Sequence, residues 1–205
     1  AQQEDLSQLT PKVLHERFTF WVQKTLVEFA RESLKPTLLA QFAWQVLEQQ
    51  LTKPVGAERA KTLLAELSQG AKAEPEADLP HAIRELANGT LSREEFLRRF
   101  GHRGPNEMEL SSPRWAENPA SLSQLHTTTT KQQAQTTTAE LFSKVVAEAK
   151  WNNVVAKSML GHVERLQTYL GLRETGKHYL MRGYAQIRRT LLELDRRFGL
   201  EGGIF

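Results

Sequence analysis

From Leu141 to Phe198 apolar residues return every three or four positions, and no proline interrupts them. That spacing places them along one side of a helix, whose period is 3.6 residues. The same spacing occurs in Val13, Leu14, Phe18, Trp21, Val22, Leu26 and Phe29, in Leu38, Leu39, Phe42, Val46, Leu47 and Leu51, and in Ala60, Leu63, Leu64 and Leu67. Thr10-Pro11 is a helix start, because Thr caps the first free N–H groups and Pro fits the first helical position. Lys35-Pro36 is expected to end the first helix, leaving Pro11 to Ser33 and Leu38 to Leu51 as antiparallel neighbours.

Further on, Gly70 is expected as a left-handed cap, followed by an acidic linker over 71–78. Leu79 to Ala87 reads as a short helix closed by Asn88-Gly89. Ser92 with Glu95, and Thr137 with Glu140, have the spacing of capping boxes. The second of these opens a pattern running from Leu141 to Leu170, and a last helix runs from Leu172 to Phe198. Gly171 either separates those two helices or lies within one rod. With 12 Gly and 8 Pro, tight turns are too few for a many-stranded chain. The expected fold is all-α, a helical bundle with long antiparallel helices and one irregular loop segment. It is read as one helical domain over 1–205, with subregions 10–70, 79–119, a polar linker at 120–137, and 138–198. Residues 125–138, which overlap that linker, hold seven threonines.

Composition removes several classes of chemistry. No cysteine means no disulfide framework, thiolate metal site or cysteine nucleophile. The six histidines, at 15, 81, 102, 126, 162 and 178, show no ligand spacing, so no metal site is expected. No apolar run approaches the ~20 residues of a membrane-spanning helix, and the polar N-terminus lacks a secretory signal, so a cytoplasmic location without membrane partners is expected. The 27 Lys and Arg nearly balance the 24 Asp and Glu and are interleaved with them, so nucleic-acid binding is not expected. No glycine-rich stretch has the form of a phosphate-cradling loop followed by Lys and Ser or Thr. The apolar end Gly202-Gly203-Ile204-Phe205 and the missing initiator Met lead to the expectation of a piece of a longer polypeptide.

Two segments carry specific chemistry. On a helical projection, Leu172, Gly176, Tyr179, Gly183, Ile187, Leu191, Leu194 and Phe198 form an apolar stripe, with Arg173, Lys177, Tyr184 and Arg188 in a narrow stripe beside it. Cations at the flank of a core are partly desolvated, so they meet either a carboxylate such as Glu174 or an anionic ligand. The second segment, Gly101 to Trp115, has neither a helical nor a strand period. Arg103 and Arg114 are expected to clamp it through backbone carbonyls or through Glu107 and Glu109, with Trp115 as an apolar plug. His102 lacks a visible partner.

Together these segments resemble a known family. Phe100-Gly101-His102-Arg103-Gly104-Pro105-Asn106-Glu107-Met108-Glu109-Leu110, then Pro113-Arg114-Trp115 and Asn118-Pro119, is similar to the Gly-His-Arg-Gly…Glu…Leu…Pro-Arg-Trp…Pro signature of the phosphoenolpyruvate-utilising dikinases. Within that family it resembles the members like phosphoenolpyruvate synthase and rifampicin phosphotransferase. Leu172-Arg173-Glu174-Thr175-Gly176-Lys177, with Arg182 and Arg188, is similar to their Arg-Glu-x-x-Lys helix. The resemblance covers residues 80 to 205 by motif and the earlier part by helical character alone. It implies a helical acceptor-binding domain of an ATP-dependent phosphotransferase, with Arg173 and Lys177 where a phosphohistidine delivers its phosphoryl group and Arg188 and Tyr184 at the substrate. It also implies that ATP, Mg2+, an ATP-grasp domain and the phosphohistidine domain lie outside these residues, that a small-molecule acceptor binds here, and that the isolated chain is inactive. The competing expectation is a helical protein-interaction module without chemistry.

Overall fold

The computed structural model describes residues 5–125 and 137–205; His126 and most of the threonine-rich stretch lie outside them. Every regular element among the described residues is helical, with no strand. The helices are α1 (Pro11–Val22), α2 (Ala30–Val55), α3 (Ala57–Ser68), α4 (Leu79–Ala87), α5 (Arg93–Phe100), α6 (Thr138–Glu148) and α7 (Asn153–Phe198). Short 3-10 turns occupy Leu6–Gln8 and Pro119–Gln124, and a π-helical segment, Gln23–Phe29, joins α1 to α2.

The expected break at Lys35-Pro36 does not occur. Pro36 lies inside α2, so helical backbone continues from Pro11 to Val55, and there is no antiparallel pair over this stretch. Proline removes one N–H and crowds the carbonyl four residues back, which distorts a helix without ending it when the turns on either side persist. At the other end of the chain the opposite holds. The pattern from Leu141 to Leu170 is interrupted at Lys150, whose φ of 52° turns the chain between α6 and α7. Asn152 then restarts the helix, its side chain accepting from the N–H groups of Val154 and Val155. Gly171 sits inside α7.

The chain divides into two compact units, each drawn from separated stretches, so the subregions read in linear order cut across them. One unit comprises 1–33, 79–127 and 176–205, and the other 34–78 and 128–175. In the second unit, Ala43, Leu47 and Leu51 of α2, Leu63, Leu64 and Leu67 of α3, Val145 of α6, and Val163 and Leu166 of α7 make one core. Gly171 allows a close approach there: a Cβ at this position would stand 2.1 Å from the Lys72 carbonyl oxygen. The acidic stretch after α3 is therefore packed rather than loose, and the Glu74 N–H donates to Thr175 Oγ1 at 3.1 Å. Gly70 has no positive φ; its missing side chain instead leaves room for Gln167, whose Nε2 donates to the Leu67 carbonyl at 2.7 Å.

In the first unit the core is aromatic: Phe96 and Phe100 of α5 with Trp115, backed by Ala82 and Leu122. The rings of Phe96 and Trp115 lie 5.5 Å apart. Ser92 caps α5, accepting from Glu95 N–H, but the Glu95 carboxylate turns to Arg98 instead of completing the box. At Thr137 and Glu140 both halves of the capping box form.

Candidate functional site

The irregular segment from Gly101 is held by its own backbone. Arg103 N–H bonds the Phe100 carbonyl, Trp115 N–H bonds the Arg103 carbonyl, and Ala116 N–H bonds the Gly101 carbonyl, all within 2.8–2.9 Å. Gly104 lies so close to the backbone crossing it that a Cβ would meet the Pro113 carbonyl oxygen at 2.8 Å. With backbone fixed, the Arg103 side chain is buried, and its Nε and Nη2 clasp both oxygens of Glu107, the second at 2.8 Å. Arg114 is buried too, donating from Nη2 to the Glu109 carbonyl at 3.3 Å. Burial pushes its guanidinium pKa down, as does the nearby charge of Arg188, against the pull of Glu117, Glu107 and Glu109. Trp115 fills the aromatic core, 5% exposed.

The second half of α7 meets this segment on one side and the π-helical segment on another. On the π side, a Cβ at Gly183 would fall 2.2 Å from Thr25 Oγ1, and Gly176 faces Ser33. On the loop side the buried residues are polar: His178 and Arg188 are 3% and 5% exposed. The apolar stripe expected along α7 is accordingly corrected. Gly183 and Ile187 of that stripe are buried, but Leu172, Tyr179 and Phe198 are exposed, while Thr175, His178, Met181, Arg188 and Thr190, which lie off it, are buried. A single-face pattern cannot describe a helix covered from two directions, one of them by charged groups.

The four residues of the expected basic stripe have separate surroundings. Lys177 keeps 44% of its side chain exposed and places Nζ 2.8 Å from Glu107 Oε1. Glu107 thus lies between a buried guanidinium and an exposed ammonium. Desolvation pushes its carboxyl up, but the hydrogen bonds from Arg103 and Lys177 outweigh this and hold it below the ordinary glutamate value. Arg188 is engaged within the fold: Nε bonds both Glu117 oxygens at 3.0 and 2.9 Å, and Nη1 bonds the Leu110 carbonyl at 2.5 Å. Tyr184 is half-buried. Arg173 belongs to the other unit, exposed and paired with the adjacent Glu174 at 2.7 Å.

Sequence reasoning did not single out Glu117, which holds Arg188 across 71 residues, or His178, which stacks edge-on against His102 with ring centroids 4.6 Å apart. Neither has a local signal, since each partner is supplied by a distant element. His102 Nε2 and His178 Nδ1 are buried without a hydrogen-bond partner among the described residues. Desolvation, then neighbouring positive charge, brings His102 down to about 3 and His178 down to about 4, so both are neutral at neutral pH. Among the described residues no group of three or more His, Asp or Glu is placed to hold a metal ion.

What these features define is a helical unit with a braced Gly-His-Arg-Gly loop whose carboxylate presents a lysine to solvent. Residues 90–174 match the family described as the rifampicin phosphotransferase fourth domain. The matched stretch contains α5, the braced loop, α6 and the first part of α7, and it stops three residues before Lys177. Over that stretch, less than half of the chain, the sequence is similar to a helical domain of rifampicin phosphotransferases. No curated protein and no solved structure gives a significant match.

Proposed function

We propose that this chain is the acceptor-binding helical domain of an ATP-dependent phosphotransferase and assists phosphoryl transfer from a phosphohistidine carried by another domain. The observation that carries the reading is the exposed Lys177 ammonium, fixed against a carboxylate that is itself fixed by a buried arginine. A transferring phosphoryl group spreads negative charge over its equatorial oxygens, and a cation held in place beforehand stabilises that charge without reorganising. Arg103, Glu107 and Lys177 together carry one net positive charge, and only Lys177 presents its part to solvent. In this reading ATP and Mg2+ are handled by the other domains. Arg188 then acts as a tie between α7 and the loop, and Arg173 remains a second candidate cation with its own test.

Substitution in the full-length phosphotransferase tests the assignment. Lys177→Ala should lower turnover of rifampicin, taken as the probe acceptor, by about 100-fold or more, the range seen when one preorganised charge-stabilising donor is lost. The unfolding midpoint should stay near that of the parent, because Arg103 still satisfies Glu107. Arg173→Ala with unchanged turnover would remove Arg173 from the site without touching Lys177.

A non-enzymatic interaction module is the second reading, favoured by Leu34, Leu38, Leu39 and Phe42, which all lie exposed on α2. It predicts that Lys177→Ala leaves turnover unchanged in the full-length protein.

A further inference from the structure

Lysine carries its charge at the end of a flexible four-carbon stem, so an exposed ammonium at a defined point needs something to hold it. Here the holding group is visible. Glu107 has a side chain only 12% exposed, yet one of its oxygens lies 2.8 Å from Lys177 Nζ. The same carboxylate is gripped from behind by Arg103, whose side chain is 4% exposed. Arg103 in turn is fixed through its own N–H and carbonyl, bonded to Phe100 and Trp115, two residues of the aromatic core. An unbroken series of contacts thus runs from that core through a guanidinium and a carboxylate to the ammonium.

We propose that Glu107 is a positioning residue: it touches no substrate and acts by holding the Lys177 ammonium where an incoming phosphoryl group can use it. Its role in catalysis rests on the function proposed above; its hold on Lys177 does not. The groups around it fit this role. His178, which feels both Arg103 and Glu107, and His102 stacked against it add no charge of their own at neutral pH, so the hydrogen bonds that hold the carboxylate ionised come from Arg103 and Lys177. The paired charges also explain why a mostly buried carboxylate stays ionised.

Two measurements separate the two claims. In the 205-residue chain, side-chain nitrogen relaxation of Lys177 should report a restrained ammonium, and Glu107→Gln should release it to the mobility of a surface lysine; equal mobility in both proteins overturns the inference. Glu107→Asp, which keeps the charge on a shorter arm, provides a folded comparison and should restore part of the restraint. In the full-length phosphotransferase, Glu107→Gln should lower kcat about 10-fold with little change in KM for rifampicin. Adding it to Lys177→Ala should cost nothing further, because a residue that acts only through Lys177 has no effect once Lys177 is gone. Additive losses overturn the positioning role. If Lys177→Ala itself leaves turnover unchanged, the functional reading fails, and the relaxation result still decides whether Glu107 holds the lysine.

Discussion

Two arginines, Arg103 in the loop and Arg188 on α7, show how the same side chain serves different ends. Arg103 spends its guanidinium on Glu107 and so orders a group that reaches solvent, whereas Arg188 is closed off by Glu117 and the Leu110 carbonyl. Arg188 is buried while Glu117 stays open to water, so Arg188→Met, which loses the bonds to Glu117 and strands the Leu110 carbonyl, should destabilise the fold by about 1–3 kcal/mol, measured by chemical denaturation. A loss below 1 kcal/mol would mean that the pair is solvent-relaxed. The histidine pair makes a separate prediction. An unfolded imidazole takes up its proton near pH 6.5, while the folded ones hold out to about 4 and about 3. Between those values the unfolded chain binds more protons than the folded one, so stability should fall as pH is lowered from about 6.5 toward 4. Proton NMR of His102 and His178 should show both rings neutral at pH 5; a ring titrating near 6.5 contradicts the burial described here.

At the scale of the element, α7 decides much of the architecture, and its glycines separate two kinds of position. Gly161 has open space where a Cβ would stand, so Gly161→Ala should stabilise by up to about 1 kcal/mol through helix propensity alone. Gly171 has the Lys72 carbonyl there, so Gly171→Ala should cost about 2 kcal/mol through overpacking, despite the same gain in propensity. Thermal unfolding of the two variants should move in opposite directions, and parallel shifts would refute the close approach. Helix existence was legible in the sequence because periodicity and caps are local: Thr10, Ser92 and Thr137 all cap helices, although at Ser92 only one half of the predicted box forms. The course through Pro36 and the turn at Lys150 were not legible. Each depends on whether neighbouring turns and the units they belong to hold the backbone, which no local pattern records. The clamp around Arg103 could be read from charge types in a short loop. The placement of Lys177 on Glu107 could not, because the two are 70 residues apart in sequence.

Two compact units are built from interleaved stretches, and the family match, over residues 90–174, draws on both. In the function proposed above the nucleotide chemistry belongs to other domains, so the 205-residue chain should neither hydrolyse ATP nor become phosphorylated on histidine when incubated with it. A stable phosphohistidine on this chain would sink the division of labour. The most direct test separates the two half-reactions of the full-length phosphotransferase in rapid-mixing experiments on Lys177→Ala. Phosphohistidine should form from ATP at the parent rate, and its discharge to rifampicin should slow about 100-fold or more. Equal discharge rates in parent and variant would contradict the central claim that this domain supplies the cation for the acceptor step.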